Sequence, residues 1–182
     1  DDHLTFLEID PLVVSIARYT ILFTYMSDCA PKAEIIVGDA RVSMRQLRNQ
    51  QYDLIVLDAF SSDAVPVHLL TVQAYGEYAA LLTARGVILT HVSNRYLTLH
   101  PVVNHAGSAL GLHIARGDPT FAELSDNSPE RDASWWVALT PSAATHTAMI
   151  SVLGWTAVDD DSPTVEWTDR RSSLLDVISK RQ

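Results

Sequence analysis

Short apolar runs alternate with segments of helical periodicity along most of the chain. The runs are rich in Val, Ile and Leu, which is typical of buried strands, and the segments between them repeat apolar residues at helical spacing. The predicted strands are residues 4–9, 33–37, 53–58, 86–92 and 134–139, and the predicted helices are residues 11–30, 40–49, 68–84, 101–110, 145–153 and 172–178. This alternation predicts an α/β fold with a mostly parallel sheet and helices on both of its faces.

Local signals mark where helices begin and which side chains face inward. Asp10 and Pro11 are a capping residue and a first-turn residue, which suits the start of the first helix. In the next helix Val42 and Leu47 are the residues expected to face the core. The polar segment 117–133 is predicted to be a loop that lies over the ligand site.

The composition is that of one ordinary globular domain spanning residues 1–182. The chain is 47% hydrophobic and 19% charged, which provides enough apolar material for one sizeable core. Acidic residues outnumber basic ones 22 to 13, giving a formal net charge of −9. That excess argues against binding to a nucleic-acid backbone, which relies on clustered Lys and Arg. It is compatible with a cationic substrate, although a merely solvated acidic surface is the commoner explanation.

The number of cysteines and the hydropathy of the chain indicate the cellular compartment in which the protein is expected. Cys29 is the only cysteine, so no disulfide can form within the chain, and a reducing, cytoplasmic location is expected. No apolar run approaches the roughly 20 residues that cross a bilayer, and the first residues do not form a signal peptide. The chain opens without Met and enters an apolar run at Leu4, from which we expect a domain cut from a longer polypeptide.

Polar side chains follow the predicted strands, at the carboxyl edge where parallel α/β sheets bind ligands. Glu8 follows the first strand, where a carboxylate can accept hydrogen bonds from the two hydroxyls of a ribose. Asp39 follows Gly38 after the second strand and can accept a hydrogen bond from an adenine amino group. Both acids have a structural alternative, since Glu8 can be a plain strand-end acid and Asp39 can cap the helix that begins at Ala40.

Asp58 and Asp63 flank a polar loop after the third strand. Two carboxylates close together can bind a cationic amine, and one of them can take its proton if their environments separate the two pKa values. A capped turn is the alternative, because Ser and Asp are ordinary turn residues.

A second polar group follows the fourth strand, where His91, Asn94, Arg95 and Tyr96 are close in sequence. His68 and His91 do not have metal-ligand spacing and no cysteine supports them, so a zinc site is not expected. A serine hydrolase is not favoured either, because the chain lacks the Gly-x-Ser-x-Gly elbow.

The ordered set of these motifs resembles the spermidine synthase family, and it resembles in particular a bacterial branch in which a transporter-like membrane region can precede the synthase-like domain. The motifs that carry the resemblance are residues 7–11, 38–41, 52–58, 58–71, 93–97 and, more loosely, 167–169. Together they place most of the resemblance in residues 4–112, and the remainder of the chain matches loosely.

The resemblance implies a Rossmann-like fold of the class I methyltransferase type. It also implies transfer of an aminopropyl group from decarboxylated S-adenosylmethionine to a polyamine acceptor. By this resemblance Glu8 holds the ribose hydroxyls, Asp39 with the adjacent Ala40 lies at the adenine, and Asp58 is the catalytic acid that helps to deprotonate the attacking amine. The residues expected to bind the acceptor are Asp63, His91 and Asn94.

The chain departs from the family pattern in two ways. The family's first strand and glycine-rich loop precede the position of Leu4, so we expect apolar sheet edges that another segment or a homo-oligomer covers. His91 and Asn94 stand where polyamine enzymes usually have an acid, which argues against putrescine as the acceptor. Two other functions stay open: a methyltransferase that uses S-adenosylmethionine itself, and a non-catalytic nucleoside-binding or partner-docking module attached to a membrane protein.

Overall fold

The chain forms two compact units, Asp1–Asn49 and Gln50–Gln182. A computed structural model describes residues 2–19, 21–58, 65–117, 134–159 and 161–179 of the chain. The expectation of a single domain over residues 1–182 stays a prediction.

The first unit is built on two parallel strands, β1 (Thr5–Glu8) and β2 (Glu34–Val37). Between them lie two helices, α1 (Pro11–Ala17) and α2 (Tyr25–Cys29), and α3 (Ala40–Met44) follows β2. Asp10 caps α1 as the sequence predicts, because its side chain accepts a hydrogen bond from the backbone N–H of Leu12.

Little of the first unit is buried. No residue of α1 or α2, both of which are described in full, is buried. The buried hydrophobic side chains of this unit, among its described residues, are Met44 and Leu47. The inward position predicted for Leu47 is therefore confirmed, whereas that of Val42 is wrong, since its side chain is 56% exposed. The helix predicted over residues 11–30 is also wrong in its length. α1 ends at Ala17, and none of its residues is buried in packing that would support a longer helix.

Within its described residues, the second unit is a five-stranded sheet with three helices. Its strands are β3 (Tyr52–Leu57), β4 (Leu82–His91), β5 (His113–Gly117), β6 (Trp136–Thr140) and β7 (Thr156–Ala157), in the spatial order β3-β4-β6-β5-β7. Its helices are α4 (Val72–Ala79), α5 (His100–Ala109) and α6 (Ala143–Leu153), with 3-10 turns at Val67–Leu69 and Leu174–Val177. The β3–β4 pair is parallel, and the pairs β4–β6, β5–β6 and β5–β7 are antiparallel. The α/β class is confirmed, and the sheet is mixed.

Helices cover both faces of this sheet. On one face, called the α6 face, Met149 of α6 packs with Ala115 and Ala138, and Val87 and Leu89 pack against this cluster. The other face, called the α4–α5 face, carries Thr90 against Tyr75 of α4, together with Ile114 and Leu139, which lie against Gly107 of α5. Alternate residues of each strand thus point to opposite helical layers.

Two boundaries differ from the sequence prediction in this unit. The helix predicted over residues 68–84 ends at Ala79, because the chain turns there so that Leu82 can start β4 beside Tyr52. Strand β5 was not predicted. Its two buried apolar residues stand between His113 and Arg116, so they do not form the continuous apolar run that indicates a buried strand.

Strand β3 is the edge of the five-stranded sheet, where it pairs with β4 alone among the described strands. Its alternate residues Leu54 and Val56 are 54% and 50% exposed. They are in register with Val87 and Leu89, so they lie on the α6 face, and among the described residues of the second unit no helix covers them.

Helices in the described ranges are all too short or too polar to cross a membrane.

Candidate functional site

The carboxyl ends of β3 and β4 bring Asp58 and His91 together. Leu57 pairs with Thr90, so the next residues along each strand, Asp58 and His91, stand side by side on the α6 face. His91 Nδ1 lies 2.8 Å from Asp58 Oδ1. The Asp58 side chain is 56% exposed and the His91 side chain is 22% exposed, so the pair can be reached by a ligand.

Trp136 extends this group onto a third strand. His91 pairs with Trp136 across the antiparallel β4–β6 ladder. The two rings are 4.8 Å apart between centroids with an interplanar angle of 30°, a tilted ring contact that restrains the imidazole. The imidazole is thus held between a carboxylate on one side and an indole on the other.

The end of β4 is anchored from the opposite face. Thr90 Oγ1 lies 3.0 Å from the hydroxyl of Tyr75, and both residues are fully buried. Burial raises the pKa of Tyr75 far above its usual range, so the phenol stays protonated and the bond persists at any physiological pH. Val92 continues the ladder by donating its backbone N–H to the carbonyl of Trp135.

Asn94 shapes the loop that follows β4. Its Oδ1 accepts hydrogen bonds from the backbone N–H groups of Tyr96 and Leu97, each at 2.9 Å. This is a local turn of the kind that Asn favours. The carbonyl oxygen is therefore occupied by the turn, and a role in acceptor binding would fall to the side-chain amide, which only donates.

In the first unit Glu8 is the last residue of β1, and its side chain is oriented by the backbone. Its Oε1 accepts a hydrogen bond from the N–H of Asp10 at 2.9 Å. Asp10 in turn caps α1 through Oδ1, 2.8 Å from the N–H of Leu12. Asp10 therefore has the structural role expected of it, and the carboxylate of Glu8 is fixed at the carboxyl end of its strand.

Asp39 and Ala40 lie at the carboxyl end of the neighbouring strand β2. Gly38 donates its N–H to the carbonyl of Glu8 at 2.9 Å and has a φ of 150°, which favours glycine. Asp39 caps α3 by accepting from the N–H of Val42, and Ala40 is the first helical residue. The capping role of Asp39 is confirmed, and the adenine-binding role of Asp39 and Ala40 stays a prediction.

Some predicted features lie outside the described residues. Asp63 and its serine neighbours fall in residues 59–64, and most of the predicted loop 117–133 falls in residues 118–133. Within the described ranges, no group of three or more His, Cys, Asp and Glu side chains is arranged to hold a metal ion.

Sequence reasoning missed Trp136 and the Tyr75–Thr90 anchor. Their contribution depends on which residues are neighbours across strands, and β6 follows β4 by more than forty positions. It also missed the influence of Arg116 on His100. Partial burial and the nearby Arg116 guanidinium lower the pKa of His100, and Arg116 itself lies over the ring of Trp135, 5.9 Å from its centroid.

Comparison with known proteins gives one sequence relative and a set of solved structures. The chain is 34% identical, over 93 residues, to a polyamine aminopropyltransferase of Vibrio vulnificus (strain CMCP6), a match that covers 50% of the chain and 30% of that protein. No model of a protein family matches the chain.

Two solved structures establish the fold. Human methyltransferase-like protein 13, in complex with SAH, matches with a TM-score of 0.52 and 16% identity over 87% of the chain and 74% of that protein. Spermidine synthase from Thermotoga maritima matches with a TM-score of 0.51 and 14% identity over 91% of the chain. The chain spans 54% of that spermidine synthase. The Rossmann-like fold of the class I methyltransferase type is thereby confirmed.

Proposed function

We propose that this chain is an aminopropyltransferase-like domain that transfers an aminopropyl group from decarboxylated S-adenosylmethionine to an amine. The observation that carries the proposal is the placement of Asp58. Its carboxylate stands at the carboxyl end of β3, more than half exposed, and is held by His91 at 2.8 Å. The identity to a polyamine aminopropyltransferase over 93 residues supports this choice within a fold that also serves methyltransferases.

The proposed roles divide between the donor and the acceptor. Glu8 accepts hydrogen bonds from the ribose hydroxyls of the donor, and Asp39 with Ala40 contacts the adenine. Asp58 receives the acceptor amine, with Asp63 as a further contact to it. Asn94 belongs to the same acceptor site, where its amide N–H can donate only to a nitrogen that is not protonated. Carboxylates suit this ligand pair, because both the amine and the sulfonium are cationic.

The chemical step needs little more than alignment and removal of a proton. A protonated amine has no lone pair, so the acceptor nitrogen must lose a proton before it reacts. The lone pair freed in this way attacks the aminopropyl carbon that is bonded to the sulfonium sulfur. The new C–N bond forms as the C–S bond breaks, and sulfur keeps the bonding electrons to leave as the neutral thioether 5′-methylthioadenosine. The proton lost by the nitrogen passes to the carboxylate of Asp58.

A transfer assay with a matched pair of variants tests the proposal. The chain is incubated with decarboxylated S-adenosylmethionine and a panel of amines, and 5′-methylthioadenosine and the aminopropylated product are quantified. Asp58→Asn keeps the shape of the side chain but removes its basicity, so we expect kcat to fall by about 100-fold or more. Asp53→Asn is the control, because Asp53 lies on β3, the strand that Asp58 follows, but pairs with Thr83, 2.8 Å away, and it should keep the activity.

The other outcomes separate the alternative functions. Methyl transfer from S-adenosylmethionine without aminopropyl transfer would make the chain a methyltransferase. Binding of 5′-methylthioadenosine without transfer to any amine would make it a nucleoside-binding module. Either result contradicts the proposal, and so does full activity of Asp58→Asn.

A further inference from the structure

The position of His91 is accounted for by its contact with Asp58. An ionised carboxylate can only accept hydrogen bonds, and the nitrogen that faces Asp58 Oδ1 at 2.8 Å is Nδ1. Nδ1 therefore carries a proton and donates it. This tautomer is set by the carboxylate, as in other sites where one ring nitrogen is fixed by its hydrogen-bond partner.

We infer that His91 is a positioning residue that fixes the carboxylate of Asp58 for proton transfer, rather than a direct ligand of the acceptor. The inference rests on the proposed function, since Asp58 is the group that takes the proton. With Oδ1 held by Nδ1–H, the carboxylate presents Oδ2 to the acceptor amine. Among the described residues no hydrogen bond to Oδ2 is present.

Asp58 needs such a partner because of where it stands. It follows the last residue of β3 and is 56% exposed, and the terminal torsion of an Asp side chain is broad in the absence of a partner. A base that samples many orientations spends little time aligned with the amine, and misalignment is costly for a proton transfer. One charge-assisted hydrogen bond restricts that torsion.

His91 is itself restrained, which makes it a suitable support. Its ring lies against that of Trp136, with 4.8 Å between the ring centroids, and its backbone neighbour Thr90 is fixed by the buried bond to Tyr75. Support of this kind, in which the residue that holds a reactive group is held in turn, is what keeps a site within the productive geometry.

The tautomer of His91 tests the geometry without any turnover. In a chain labelled with ¹⁵N, long-range spectra of the imidazole rings distinguish a proton on Nδ1 from a proton on Nε2. We expect neutral His91 to carry its proton on Nδ1 in the wild-type chain. In Asp58→Asn the side-chain amide can donate to the ring, and the proton should move to Nε2. A wild-type ring protonated on Nε2 alone would overturn the inference.

Two conservative variants test the effect on catalysis. The amide nitrogen of Asn is bonded to Cγ, as Nδ1 is, so His91→Asn can still donate to Asp58. The amide of Gln is one carbon further out, at the level of Nε2, so His91→Gln has the same chemistry in the wrong place. We expect His91→Gln to lower kcat by about tenfold or more, with KM for the donor unchanged, and His91→Asn to recover most of that loss.

The results separate a failure of this inference from a failure of the proposed function. Equal loss in His91→Asn and His91→Gln, with both variants folded by thermal unfolding, would show that the imidazole does more than hold Asp58. Full activity of both variants would show that Asp58 needs no support. Absence of transfer by the wild-type chain would contradict the proposed function. The spectra of His91 would still show whether Asp58 fixes the tautomer of the imidazole.

Discussion

Glu8 is the residue on which nucleoside binding is expected to depend. Its Oε1 is held by the N–H of Asp10, so the carboxylate is already oriented at the end of β1 before a ligand arrives. Replacing Glu8 by Gln removes the charge and one acceptor, and a hydrogen bond to a charged group contributes about 1.5–3 kcal/mol. We therefore expect calorimetric titration with 5′-methylthioadenosine to show affinity reduced by about tenfold or more in Glu8→Gln.

The matched control is Glu34→Gln, because Glu34 is the first residue of β2, at the opposite end of the β1–β2 ladder, and is exposed. It should bind as the wild-type chain does. Equal affinities of Glu8→Gln and the wild-type chain would remove Glu8 from the nucleoside site.

His100 gives the stability of the chain a pH dependence of known sign. Partial burial and the Arg116 guanidinium lower the pKa of His100 in the folded chain from its usual 6.5. Between the folded and unfolded pKa values the unfolded chain binds more protons, so the free energy of unfolding falls as the pH drops through that window. Above the unfolded pKa the effect is absent, and below the folded pKa it is complete.

Urea unfolding of His100→Gln measures this contribution. Between about pH 7.5 and about pH 5 the wild-type midpoint should fall by more than that of His100→Gln. His3→Gln, at an exposed position, should keep the wild-type dependence. The expectation fails if His100→Gln and the wild-type chain lose the same stability over this range.

At the residue scale the sequence predicted which side chains stand at strand ends, but not which side chains they contact. Glu8 and Asp58 were placed by the rule that strand ends carry ligand-binding side chains, and each does stand at a strand end. The link from Asp58 to His91 and on to Trp136 follows from cross-strand register. Register is a tertiary property, so no pattern along the chain reports it.

At the scale of elements, Gly86 is required by the close approach of β3 and β4. A Cβ at this position would lie 2.8 Å from the backbone carbonyl oxygen of Tyr52 and 3.0 Å from Cδ2 of Leu82. A backbone atom cannot move aside cheaply, so Gly86→Ala should separate the strands where their register shifts. We expect the free energy of unfolding to fall by about 1–3 kcal/mol, measured by urea unfolding.

The matched control is Gly76→Ala in α4. There the new Cβ would meet only Cδ2 of Leu110, at the ordinary contact distance of 3.7 Å. Alanine in a helix interior is favoured over glycine, so this variant should gain about 0.5–1 kcal/mol. If Gly86→Ala is as stable as the wild-type chain, the strands are not in close contact at that position.

The pattern of apolar positions predicted the central strands and most helices, and failed where tertiary contacts set the boundary. β3 and α6 are close to their predicted ranges. β4 begins four residues earlier than predicted, at Leu82, because Leu82 pairs with Tyr52. α1 stops at Ala17 although its periodicity continues, since periodicity stabilises a helix only when there is a surface to bury it against.

At the scale of the whole molecule, the fold class was predictable and the direction of its strands was only partly so. The alternation of strands and helices predicted a parallel sheet, and β1–β2 and β3–β4 are parallel. β6 runs antiparallel to both of its neighbours. The predicted order of elements did not include β5, and without it the alternating pattern could not indicate that the sheet becomes antiparallel beyond β4.

Burial differs between the two units, and this has a consequence for ligand affinity. Among the described residues of Asp1–Asn49, Met44 and Leu47 are the hydrophobic side chains that are buried. Segments with so little core open more readily than the rest of a protein. The residues proposed to hold the nucleoside all belong to this segment, so part of the intrinsic binding energy is used in ordering it. The measured affinity is then the intrinsic affinity multiplied by the fraction of molecules already in a competent form. Any second ligand or partner that ordered the same segment would tighten nucleoside binding without touching the nucleoside.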